Sequence, residues 1–169
     1  VLAKLSRRDL DTAGPRANLA GQNLANMDAS RLDLEEANLR GARLENADFA
    51  ESNLSEAELV GSNLSAARFF EAKLPGARMS RTACMNAEFQ QANLRRADIS
   101  SSNLDGADFS GADLTHALLM HSRMAGASFK DASLCQADLS GAILHGADLS
   151  GANFRGANLS GADLRGAHF

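Results

Sequence analysis

The last 23 residues read Ala147-Asp148-Leu149-Ser150-Gly151-Ala152-Asn153-Phe154-Arg155-Gly156-Ala157-Asn158-Leu159-Ser160-Gly161-Ala162-Asp163-Leu164-Arg165-Gly166-Ala167-His168-Phe169. Every fifth residue is Leu or Phe, Ala stands two places before it, and Gly two places after. Call the Leu or Phe the centre. The same frame runs back without insertion or deletion to Ala17, giving 31 centres from Leu19 to Phe169, of which 19 are Leu and seven Phe. The place two before the centre is Ala in 23 cases and Ser in four, with Gln22, Met27, Leu32 and Thr82 as exceptions. A period of five suits neither a helix, whose stripe repeats every 3.6 residues, nor a strand, which alternates every two. It suits one side of a polygonal coil, with the centre and the small residue before it turned inward.

A second period counts the sides. Phe49, Phe69, Phe89, Phe109, Phe129 and Phe169 are separated by multiples of 20, with only Ala29 and Leu149 interrupting the column. Twenty residues per turn is four sides of five. Stacked coils then place these six Phe as a ladder along one inner side. At the ~4.8 Å interstrand spacing of sheets, about 7.6 coils make a rod about 37 Å long.

The units Ala147-Asp148-Leu149-Ser150-Gly151 and Ala157-Asn158-Leu159-Ser160-Gly161 follow the rule A(D/N)LxG and resemble the pentapeptide-repeat family over about nine tenths of the chain. The resemblance implies an all-β fold, a right-handed four-sided parallel β-helix with short ladders on each side. Residue chemistry agrees. Asp or Asn before the centre bonds neighbouring amides, and Gly two places after it permits positive φ at a corner.

Residues 1–16 are off-pattern and are expected to form an N-terminal cap over the repeat domain of residues 17–169, since a solenoid's end coil needs cover. Val1, Leu2 and Leu5 suggest one face of a short helix ended before Gly14-Pro15. The first coils, with Gln22, Met27, Ala29 and Leu32, are expected to repack beneath it. The final coil ends on the repeat centre Phe169, so end-to-end pairing of two copies, or continuation into further chain, is expected there.

Composition narrows the function. The net charge is −4, which disfavours direct nucleic-acid binding. No apolar run approaches the length of a membrane span, and no leader pattern opens the chain, so a cytoplasmic location is expected. Tallied by side, the Phe-ladder face carries the acids Asp28, Asp48, Glu51, Glu71, Glu88, Asp108, Asp131 and Asp148 against Arg31, Arg68 and Lys130, a net −5. The other faces net zero, zero and −1. That acidic face is the first candidate for docking a protein partner. Val60, Leu118 and Met120 form a second, apolar candidate. His116, His121, His145 and His168 with Cys84 and Cys135 fall short of the four ligands that a structural zinc takes, so neither metal nor cofactor is expected. A flat wall offers no pocket to exclude water, so no catalytic residues are assigned.

The expected role is a non-enzymatic scaffold or protein-interaction module, on its own or within a larger polypeptide. An alternative comes from the resemblance alone: some pentapeptide-repeat proteins of the quinolone-resistance type mimic DNA and bind DNA gyrase. A third reading is an appended domain of a secreted effector or secretion-system protein.

Overall fold

The protein is described here from a computed structural model, over residues 5–169. Beyond a short helix, α1 (Arg7–Ala13), the chain is a succession of turns joined by isolated parallel bridges. Each bridge joins residues 20 apart, from Asn18↔Asn38 to Asp148↔His168. Four of them, Asn18↔Asn38, Asn23↔Arg43, Asp28↔Asp48 and Asp33↔Asn53, tie one coil to the next. The coil is therefore four-sided, and each ladder has one bridge per side.

One side accounts for every backbone donor. The Ala37 amide closes a turn on the Leu34 carbonyl (3.0 Å), and the Asn38 amide donates to Ala17 in the preceding coil (2.9 Å). The Leu39 and Gly41 amides donate to Glu58 and Val60 in the following coil (2.7 and 3.0 Å). The Arg40 amide is left, and it donates to Asn38 Oδ1 (3.2 Å). This last bond is why Asn or Asp precedes the centre: a short side-chain acceptor reaches the amide two residues on. Arg123 has no such acceptor, and there the Ala125 amide takes Asp105 Oδ1 from the coil before (2.9 Å).

The corner residue has positive φ at every side from Arg16 to Gly166, and 18 of these corners are not glycine. Positive φ at the third place of a hydrogen-bonded turn is the type II signature. A Cβ in that conformation costs about 1–2 kcal/mol. It is held because the corner amide is bonded to the next coil while the turn closes on the centre carbonyl.

The inward pair fills the axis. Nearly all Ala and centre positions from Ala37 to Leu149 are buried. Phe49, Phe69, Phe89, Phe109 and Phe129 stack with centroids 4.8–5.2 Å apart and planes within 8° of parallel, inside the range favoured by aromatic pairs. Phe169 stands in the same column but outside this stack: Leu149 separates it from Phe129, and it is 76% exposed.

A different inner column carries hydroxyls. Ser62, Thr82, Ser102 and Ser122 are buried and 20 residues apart. The Thr82 and Ser102 amides abandon the usual turn bond and donate to the Oγ of Ser102 and Ser122 in the next coil (3.1 and 3.2 Å). The hydroxyls return to backbone carbonyls, Thr82 to Met79 (2.8 Å) and Ser122 to Ile99 (2.9 Å). Every buried oxygen in this column thus has a partner, as burial requires.

α1 begins at Ser6 with a reciprocal capping box to Asp9, the arrangement that satisfies two orphan amides at a helix start. Its buried side chain is Leu10. Of the apolar residues expected on the helix, Leu5 precedes it and packs half-buried against the core, while Val1 and Leu2 lie outside the described residues. Arg7 anchors α1 on both sides of Ala29, donating from Nη1 to Asp28 Oδ1 (2.6 Å) and from Nη2 to the Ser30 carbonyl (2.7 Å).

Two substitutions test this architecture. Phe89→Ala removes a fully buried ring and should cost about 3–5 kcal/mol in denaturant unfolding. Phe70→Ala, one residue past Phe69 and 40% exposed, should cost less than about 1 kcal/mol. Ala66 is an exposed corner at φ 55°, so Ala66→Gly should stabilise by about 0.5–1 kcal/mol, reversing the usual sign of that change. A loss of stability in Ala66→Gly would show that the corner is not strained.

Candidate functional site

The acidic wall is built from places just outside the Phe ladder, so its carboxylates share one side. The structure places them there but ties most of them down. Arg68 bridges two, through Nη1 to Asp48 (2.9 Å) and Nε to Glu88 (3.3 Å). Arg31 pairs with Glu51 (3.0 Å) and Arg7 with Asp28 (2.6 Å). Asp108 accepts from the Ser110 amide (2.9 Å) and Gln90 Nε2 (2.8 Å). Asp48 and Glu88 thus hold coils together through a shared guanidinium and are not free docking charges. Glu71, Asp131 and Asp148 make no ion pair among the described residues.

Local hydrogen bonds also set proton affinities on this wall. The Ser30 hydroxyl and amide, and then Arg7, hold the Asp28 carboxyl below its ordinary value. The Ser150 hydroxyl and amide do the same for Asp148. These carboxylates stay ionised well into the acid range.

The apolar candidates do not make one patch. Leu118 is 38% exposed and bridged to Asp98 and Asp138 on either side. Met120 is half-buried beside it. Val60 lies in the same column, but Ser80 and Ser100 stand between it and Met120.

The two cysteines are far apart in character. Cys84 is a buried centre that donates to Thr82 Oγ1 (3.2 Å), and burial pushes its thiol up to about 12. Cys135 is a half-buried wall residue at a shallow dent with Gln136, Arg155 and Gly156. Among the described residues no group of His, Cys, Asp or Glu is placed to hold a metal ion. No helix among them is long and apolar enough to cross a membrane.

A tally by face misses how charge changes along the rod. Residues 17–67 carry nine acids and three bases, residues 68–96 six bases and two acids, and residues 97–169 eight acids and four bases. A basic belt therefore separates two acidic blocks. Lys73, Arg78, Arg81, Arg95 and Arg96 are all exposed on it. The signal was present in the sequence as local charge density, but the fourfold wrapping had to be applied before its side of the rod could be named.

With the coil, its inward pair and its corner rule in hand, the class is defined: the chain belongs to the pentapeptide-repeat family. The family model, described as pentapeptide repeats, matches in eight copies over residues 16–49, 47–83, 62–101, 84–124, 102–141 and 136–169. Among solved structures the chain is similar to HetL, a pentapeptide repeat protein involved in heterocyst differentiation regulation from the cyanobacterium Nostoc sp. strain PCC 7120. Identity is 35%, covering 89% of this chain and 73% of that one, with a TM-score of 0.79. It is also similar to a pentapeptide repeat protein of the Arabidopsis thaliana thylakoid lumen, at 26% identity over 56% of this chain and 66% of that one, TM-score 0.55. Trypsin-treated QnrB1, a plasmid-mediated fluoroquinolone resistance protein, shares the fold at 20% identity over 88% and 91% of the two chains, TM-score 0.64. A comparison with curated proteins gives no match.

Proposed function

We propose that this chain is a non-enzymatic scaffold, a stiff right-handed rod of about 7.6 coils whose flat walls dock protein partners, on its own or as part of a larger polypeptide. The supporting observation is the sorting of charge into blocks on a rod whose interior is filled by side chains. Such blocks steer encounter and select partners by sign, while a filled interior leaves no chamber for chemistry. The likeness to HetL, a protein involved in a regulatory process, is in keeping with a binding role.

On this reading the acidic wall takes a basic partner, and its free charges Glu71 and Asp131 do the steering. Reversing both to Lys should slow association of a captured basic partner and flatten its salt dependence while thermal unfolding stays unchanged. An unchanged on-rate would reduce the wall to solvated surface. The apolar end of the last coil, where Phe154, Leu159 and Leu164 are half-buried and Phe169 exposed, belongs to the same proposal as the seat of a second copy. Light scattering should then give twice the monomer mass, and Phe169→Glu should halve it.

The belt weighs against DNA mimicry. Duplex DNA presents a charge about every 1.7 Å without interruption, whereas here six cations interrupt the acids midway. A DNA gyrase supercoiling assay is the comparison that separates the two readings, and inhibition at stoichiometric protein would favour the mimic.

A further inference from the structure

The belt is also the most specific surface on the rod. It centres on the Pro75-Gly76 corner. The Glu56 amide donates to the Pro75 carbonyl from the coil below (2.9 Å), and the Gly76 amide donates to the Arg95 carbonyl in the coil above (2.9 Å). Arg95 and Arg96 therefore sit directly over the corner. Lys73 precedes it on one side, and Arg78 and Arg81 follow it on the next. Lys73, Arg81 and Arg96 have no carboxylate within ion-pair distance among the described residues. Arg78 and Arg95 hold Glu58 (2.8 Å) and Asp113 (3.1 Å) in exposed pairs, which contribute little and exchange readily. One acid touches the corner: the Glu56 carboxylate folds over Gly76.

We propose that this corner docks a short, carboxylate-rich segment of a protein partner, laid across the rod axis from Lys73 over the Pro75-Gly76 corner to Arg78 and Arg81, beneath Arg95 and Arg96. Orientation follows from the flanks. A long polyanion running along the rod, such as duplex DNA, would meet Asp33, Glu35, Glu36, Glu56 and Glu58 on these two sides below the belt and Asp98, Asp113 and Asp138 above it. A segment running with the coil stays over the cations. About ten extended residues, at ~3.3 Å each, suffice to cross two sides. This inference rests on the scaffold reading but uses a surface separate from the acidic wall, and its partner has the opposite charge.

The test is fluorescence anisotropy of a labelled ten-residue peptide of Glu and Asp, beside a Gln/Asn peptide of the same length, a duplex DNA and anionic vesicles. The acidic peptide should bind and the neutral one should not, with affinity falling steeply as salt rises. Lys73→Glu with Arg96→Glu should weaken binding at least tenfold, while Arg155→Glu, an exposed cation outside the belt, should leave it unchanged. Thermal melting of each variant keeps folding separate from binding. No binding at low salt, an equal loss in Arg155→Glu, or tighter binding of the DNA or the vesicles would overturn the proposal. Those failures leave the acidic wall standing, because that wall is read by Glu71 and Asp131 against a basic partner.

Discussion

The structure depends on the bond between coils. A typical side gives three backbone amides to the coils above and below and one to its own turn, and where Asn or Asp precedes the centre its side chain takes the fifth. Backbone groups withdrawn from water must be paired, and a coil in isolation would leave most of its own unpaired. A single coil is therefore not a stable object, and stability grows by neighbours. The same bonds hold 18 side-chain-bearing corners in a conformation that usually selects glycine.

The walls inherit this geometry. A residue on the outside sits within reach of residues 20 places before and after it, so charge chemistry runs vertically. Arg68 spans Asp48 and Glu88, Arg16 meets Glu36 (2.9 Å), and Arg31 meets Glu51. Each exposed pair contributes little by itself. Together they decide which charges are left without an ion pair among the described residues: Glu71, Asp108, Asp131 and Asp148 on one wall, Lys73, Arg81 and Arg96 around the belt.

Much of the fold was legible because a five-residue frame kept over 153 residues has few physical solutions, and the Phe column fixed the number of sides. The sequence alone determined the coil length, the inward pair and the inner ladder from Phe49 to Phe129. It put Phe169 in the same column, where the structure leaves that ring exposed and apart from the stack. Leu10 was missed as the buried residue of α1 because a helix of seven residues, about two turns, offers too few positions to settle a face.

Only the tertiary structure decided the surface. Sequence could put Asp48, Arg68 and Glu88 on one face but could not say that the guanidinium grips both carboxylates, because side-chain partners depend on rotamers and on the height of adjoining coils. Thr82, Ser102 and Ser122, in the place usually taken by Ala, became a connected hydroxyl column for the same reason: residues 20 apart have no local interaction, and stacking brings the Oγ atoms of Thr82 and Ser102 to 3.0 Å. The belt arises likewise, from cations spread between Lys73 and Arg96 that gather around one corner only because the chain closes one four-sided coil every twenty residues.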